Sequence, residues 1–149
     1  MKNYEVRFSI WGVVLFLAIM LPNLIWFAIP APNDVLRMES QTEVVDTAAS
    51  VCQMLFIAAL CVTANKDSVP LRATALIIGV IVCTALYYFG WVLYYFGLTN
   101  PPVILLLTVP PCVAFLFFAY DRKNYLALIP AVIFSVCHLF YGAVNFIAN

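Results

Sequence analysis

The sequence predicts an all-α integral membrane protein, five transmembrane helices in one compact bundle, and three observations carry that prediction. Hydrophobic residues make up 66% of the chain and charged residues only 9%, and the mean hydropathy is +1.04. A water-facing surface on a domain of this size needs far more charge. Five apolar windows of about 20 residues, the length a bilayer crossing demands, are separated by short polar breaks. Lys and Arg are distributed over those breaks with a bias that orients the chain.

The first expected span covers 8–29 and is closed by Pro30 and Pro32. Lys2 and Arg7 ahead of it give it the look of a secretory leader. Its apolar run is too long for one, contains Pro22-Asn23, and has Pro32 directly after Ala31, the nearest small-residue cleavage candidate. A retained first span is therefore expected. The connection 30–43 and the turns after it hold four of the seven acidic residues, namely Asp34, Glu39, Glu43 and Asp46. Ser40-Gln41-Thr42-Glu43 fits an S-x-x-E capping box opening the second span, 44–64. After Asn65-Lys66-Asp67-Ser68 comes a third span, 71–97, longer than a perpendicular crossing requires, so it must tilt or protrude. A turn at Leu98-Thr99-Asn100-Pro101-Pro102 leads to the fourth span, 103–120, with Pro110-Pro111 at its centre. Asp121-Arg122-Lys123-Asn124 breaks the chain again before the fifth span, 125–148. Residues 1–149 thus form one five-helix transmembrane domain without a soluble domain, long linker or clear repeat.

With a cytoplasmic N-terminus, Lys2, Arg7, Lys66, Arg72, Arg122 and Lys123 lie inside and Arg37 alone lies outside. Six against one is a strong positive-inside bias. It places the connection 30–43 and the C-terminus outside, in a multi-pass protein of the bacterial cytoplasmic membrane. A formal net charge of zero gives no basis for nucleic-acid binding. Cys52, Cys61, Cys83, Cys112 and Cys137 sit in apolar runs with no C-x-x-C pair, which reads as packing rather than a disulfide framework or metal site. There is no G-x-S-x-G, H-E-x-x-H, P-loop or dinucleotide fingerprint, and His138 is the only histidine. Cofactor, metal and catalytic residues are all expected to be absent, and a non-enzymatic role is favoured.

The polar residues inside the spans are spaced like faces. Glu43, Asp46, Ser50 and Gln53 fall three, four and three apart, and Ser135, His138, Gly142 and Asn145 repeat that interval, with Tyr141 adjoining. Helical rise puts Gln53 and His138 each about 15 Å below the outer end, and Asn23 about 10 Å below Pro30, with Trp26 a turn above it. The outer half of the third span carries Tyr87, Tyr88, Trp91, Tyr94 and Tyr95. Pro22 and Pro110-Pro111 each free backbone carbonyls near the midplane, where kinks would splay the bundle and leave a cavity.

These positions predict a ligand pocket of Asn23, Trp26, Asp46, Ser50, Gln53, Tyr88, Trp91, Tyr95, His138, Tyr141 and Asn145. The alternatives are plain ones. Asp46 and Glu43 suit a helix N-terminus without any ligand. Asn23, Gln53, Asn145 and His138 suit interhelical hydrogen bonding, and the aromatics suit an interfacial belt.

Five short, aromatic-rich spans resemble the tryptophan-rich sensory or translocator protein family in outline. That family's Trp-x-Pro-Pro type signature is missing, since no Trp precedes Pro101-Pro102 or Pro110-Pro111. Pro22-Asn23 within a span resembles the proline-kinked helices of small sugar transporters. Neither likeness covers enough residues to carry function. The expected role is binding of a small amphipathic or cationic molecule in an outward-facing polar and aromatic pocket, for sensing or transport. The alternative is a structural or assembly subunit, with a second copy or another membrane subunit as partner besides the lipid bilayer. An intramembrane enzyme acting on a lipid or isoprenoid ranks third.

Overall fold

Helices begin in this chain where a Ser, Thr or Asn side chain can serve the first turn's unpaired N–H groups. In the computed structural model, which describes residues 3–68 and 70–147, Ser9 caps α1 (Ile10–Ala28) through the Gly12 N–H at 3.1 Å. Thr74 caps α3 (Ala75–Tyr95) through Ile77, and Asn100 caps α4 (Pro101–Asp121) through Val103, with prolines at the first two helical positions. Asn124 caps α5 (Tyr125–Phe146) through Ala127.

The remaining helix, α2 (Glu43–Val62), departs from the expected capping box. It begins at Glu43, two residues later than a box on Ser40 requires. Its cap residue Thr42 makes no side-chain bond to the helix backbone. The Ser40 hydroxyl accepts from the Thr42 N–H at 3.0 Å, and the Thr42 hydroxyl donates to Asp46 Oδ1 at 3.0 Å. Ser40 therefore serves the cap residue's own N–H, and the Thr42 hydroxyl turns to Asp46 instead of the first turn's backbone donors.

The helices alternate in direction. At one end, Thr74 bonds Asp121 and Asn65 bonds the Lys123 carbonyl. At the other, Asn145 reaches Gln41 and Thr42, and Asn33 reaches Gly97, whose φ of +84° ends α3 in a conformation glycine adopts without strain. Helix α3 packs chiefly on α4 and α2 on α5, while α4 also packs on α5 and joins the two pairs. Helix α4 is the central strut: 61% of its apolar window is buried, against at most 28% in any other helix. A helix that is apolar all round is built for such a place. Helix α1 lies more lightly on the bundle, with Gly12 so close to α2 that a Cβ there would meet the Leu60 carbonyl oxygen at 2.5 Å.

The outer surface is apolar. Leu17, Leu21 and Leu24 of α1 and Ile129, Ile133, Val136 and Phe140 of α5 are exposed. All five helices are long and apolar enough to cross a membrane. Together these features fit a multi-pass integral membrane protein whose outward side chains face lipid.

Three short elements go beyond the five expected helices. Strand β1 (Tyr4–Val6) pairs antiparallel with β2 (Thr63–Asn65), with Glu5 opposite Ala64, and Val35–Arg37 form a 3₁₀ turn. Segments of three residues are too short to show a period. Of the charges used for orientation, Lys2 lies outside the described residues, as do Ala148, the last residue of the fifth expected span, and Asn149.

Pro22 has no N–H, so the Ala18 carbonyl loses its helical donor. The Tyr88 hydroxyl replaces that donor from α3 at 2.8 Å. Tyr88→Phe is expected to lower stability by about 1 kcal/mol, read as a lower thermal midpoint in detergent. An unchanged midpoint would show that the carbonyl does not depend on Tyr88.

Candidate functional site

The polar residues fall into two groups, and the difference between them is whether their hydrogen bonds are already made. Asn23 on α1 donates to its own Ile19 carbonyl at 3.0 Å and to the Tyr87 hydroxyl of α3 at 2.6 Å. Asn145 on α5 donates to Thr42 Oγ1 at 3.0 Å and accepts from the Gln41 N–H at 2.7 Å. Ser50 donates to the Asp46 carbonyl one turn back on its own helix. These side chains join helices or fold back on them.

Gln53 and His138 differ. Among the described residues neither side chain takes a hydrogen bond. The His138 ring stacks between Phe134 and Tyr141 along α5, with centroids 5.1 and 6.2 Å away. The expected interhelical hydrogen bond to His138 is replaced by ring stacking. Both residues border a cavity of about 300 Å³ whose walls include Asn23, Tyr87, Pro111 and Phe134. The same Gln53, Phe134 and His138 border a second pocket of about 200 Å³ that takes in Asp46, Ser50 and Tyr141. The two spaces are neighbours across three shared side chains. Helices α1 to α5 all contribute, and Pro111 of the central strut sits in the wall, where the proline pair was expected to open space.

The aromatic half of the expected pocket is elsewhere. Trp91 is 5% exposed and packs against Trp26, Tyr87, Tyr94 and Tyr95 with ring centroids 5.6–6.3 Å apart. This cluster is covered by the connection between α1 and α2. Arg37 lies over the Trp26 ring at 4.9 Å and donates to the Trp26 and Phe27 carbonyls. The cation on these aromatics is the protein's own. Its partner carboxylate is Asp34, 2.8 Å from Arg37 Nε, whereas Asp46 opens on the pocket of Gln53, His138 and Tyr141. Tyr88 and Tyr95 spend their hydroxyls on the Ala18 and Ile29 carbonyls.

Asp34, absent from the pocket residues expected from the sequence, is a polar centre of its own. One of its oxygens accepts from Trp26 Nε1 at 2.8 Å and from the Tyr94 hydroxyl at 2.9 Å, and the other accepts from Arg37. Burial alone would push this carboxyl up, but the hydrogen bonds from Trp26, Tyr94 and Arg37 together outweigh it and hold its pKa below the ordinary value. Tyr94 also accepts from the Leu36 N–H at 3.1 Å, so one buried hydroxyl ties α3 to the middle of the 3₁₀ turn and to Asp34, the residue that precedes it. The available signal was the Asp34–Arg37 interval of three residues, which suits an ion pair within a single turn.

No group of three or more His, Cys, Asp or Glu side chains among the described residues is placed to hold a metal ion. The arrangement offers two uncommitted polar groups, one nearby carboxylate and an aromatic lining inside an apolar bundle. Comparison of the chain with protein-family models, curated proteins and solved structures finds no match.

Proposed function

We propose that this protein binds a small amphipathic or cationic molecule in the paired cavities between its helices, for sensing or passage, without catalysing a reaction. The observation that carries the proposal is the uncommitted state of Gln53 and His138 beside about 300 Å³ of space. A polar group inside a bilayer that lacks a protein partner has reason to meet water or a ligand. The apolar body of the molecule would lie against Phe115, Phe134 and Leu107, and its polar or cationic end would face Gln53, His138 and Asp46. Sites of this size, mostly apolar with a few converging polar groups, suit small ligands.

The test is a thermal-shift screen of amphipathic amines and neutral amphiphiles on purified protein in detergent. A ligand at a hundredfold its Kd stabilises by about 2.7 kcal/mol, a shift of several degrees. Hits are expected to stabilise wild type and to lose their effect on Asp46→Asn/Gln53→Ala. Equal stabilisation of both would place the site elsewhere. The interhelical bonds of Asn23 and Asn145 favour a second reading, a structural or assembly subunit. A screen without hits, on protein that retains one stoichiometric partner in mild detergent, would support it. Asp46 and His138 lining one pocket is also the arrangement an intramembrane acid–base enzyme would need, and this remains the third reading.

In the proposed orientation the Asp34 end faces outward in a bacterial cytoplasmic membrane. Arg7, Lys66, Arg72, Arg122 and Lys123 share the opposite end, and positive charge is retained inside. A C-terminal alkaline phosphatase fusion should then be active, and an inactive fusion beside a working control would reverse the assignment.

A further inference from the structure

Of the two neighbouring cavities, the larger, of about 300 Å³, has a chemistry of its own. No Asp, Glu, Lys or Arg lines it, whereas Asp46 lines the smaller one. Gln53, Phe134 and His138 border both and mark the passage between them. Asn23 and Tyr87 border the larger cavity only, so they stand on its far side from Asp46.

The pairing of these two residues leaves one donor and one acceptor over. Asn23 Nδ2 meets the Ile19 carbonyl at 3.0 Å, a contact that only an N–H can make, and this fixes the orientation of the carboxamide. The same nitrogen donates to the Tyr87 hydroxyl at 2.6 Å. Tyr87 is therefore the acceptor in that bond, and its own O–H proton meets no acceptor among the described residues. Asn23 is satisfied as a donor, while its Oδ1 receives nothing. Tyr87 is only 3% exposed, so the unmet proton is buried, and a buried donor without a partner is costly. A hydroxyl group answers both needs from one position, accepting from Tyr87 and donating to Asn23. A carbonyl would meet only the first, and an ammonium only the second.

At the other end, Asp46 accepts from the Thr42 hydroxyl on one oxygen and pairs with no cation among the described residues. Seven residues separate it from Gln53, about 10 Å along α2. We infer that the ligand is an amino alcohol, with its ammonium group at Asp46, an apolar body passing Gln53, Phe134 and His138, and a hydroxyl at its far end held between Tyr87 and Asn23. This rests on the reading that the paired cavities bind a small amphipathic molecule, and commits it to a cation with a second, uncharged polar end.

The test is calorimetric titration of the protein in detergent with two probes, aminooctanol, whose extended chain covers that distance, and octylamine, which lacks the hydroxyl. Dialysis gives the free amine, so that uptake by micelles is removed from each Kd. Wild type is expected to bind aminooctanol roughly tenfold more tightly than octylamine, through two added hydrogen bonds. Tyr87→Phe should remove that advantage and leave octylamine binding nearly unchanged, a split between two probes on one variant that a general loss of packing does not produce. Asn23→Leu should act alike, whereas Asp46→Asn should weaken both probes together and keep their ratio. Circular dichroism checks that each variant stays helical. Aminooctanol binding no tighter than octylamine in wild type would overturn the inference whatever the variants do. So would an undiminished advantage in helical Tyr87→Phe or helical Asn23→Leu. If octylamine binding still depends on Asp46 in either of those cases, the amino alcohol is wrong and the pocket stands. Binding of neither amine to wild type would remove both.

Discussion

Asp34→Ala is expected to lower stability by about 3 kcal/mol and to free the connection between α1 and α2 from the aromatic cluster beneath it. The carboxylate joins groups that the chain brings together from three places: Trp26 at the end of α1, Tyr94 at the end of α3, and Arg37 within the 3₁₀ turn. Alanine leaves the Trp26 N–H without its acceptor and the Tyr94 hydroxyl without its own. The ion-pair share is the smaller part, because the Arg37 side chain is 41% exposed and water screens it. Asp34→Asn separates the contributions. Its amide oxygen can still accept from Trp26 and Tyr94, while its NH₂ faces the Arg37 guanidinium, so it should cost clearly less than alanine. Thermal unfolding followed by tryptophan fluorescence measures both. Alanine and asparagine variants that unfold at the same lowered temperature would show that the charge, not the hydrogen-bond set, holds the connection.

The same carboxylate sets an expected pH dependence. Its pKa is lowered in the folded protein, so the unfolded chain takes up the proton first as pH falls. The stability it contributes is complete above the ordinary carboxylate range and is lost as pH drops through that range toward the folded value. Asp34→Ala should flatten the acid limb of the stability curve.

Helix placement could be read from the chain because hydrocarbon thickness imposes a length, and runs such as 103–120 have that length between polar breaks. Which polar residue pairs with which could not be read. Spacing puts Asp46, Ser50 and Gln53 on one face of α2, but pairing depends on how α5 and α1 are rotated against it. Asn23 and Gln53 looked alike as polar residues in apolar runs. Only the approach of Tyr87 distinguishes them, by satisfying the first and leaving the second. The aromatic run of α3 had a similar ambiguity. Composition and depth suggested a cage for a foreign cation, and the fold seats Arg37 there because a connection of about a dozen residues must return across the top of α3. The β1–β2 ribbon left no trace in hydropathy, since each strand contributes only one or two alternations.

Asn124→Ala is expected to cost about 3 kcal/mol, the sum of a lost N-cap and of buried groups left unpaired. The residue stands 3% exposed where α4, α5 and the end of α2 meet. Its carboxamide faces two ways. The oxygen accepts from the Ala127 N–H at 3.2 Å, starting α5, and the nitrogen donates to the Ala59 and Thr63 carbonyls, each at 3.1 Å, closing α2. The position is reached through Lys123, whose φ of +51° turns the chain sharply between α4 and α5. The same turn offers the Lys123 carbonyl to Asn65 and Tyr4, so β1, β2 and the α4–α5 corner are fastened at one point. Asp at this position tells the two roles apart. Asp is as good a helix cap as Asn, so if capping were the whole effect Asn124→Asp would be nearly neutral. If the donated bonds to α2 matter, Asp points a second oxygen at the Ala59 and Thr63 carbonyls and should destabilise at least as much as Ala. The thermal midpoint in detergent should fall by roughly 10 °C for both variants. A near-wild-type midpoint for Asn124→Asp would reduce the residue to a cap and leave the α2–α5 corner held by packing alone.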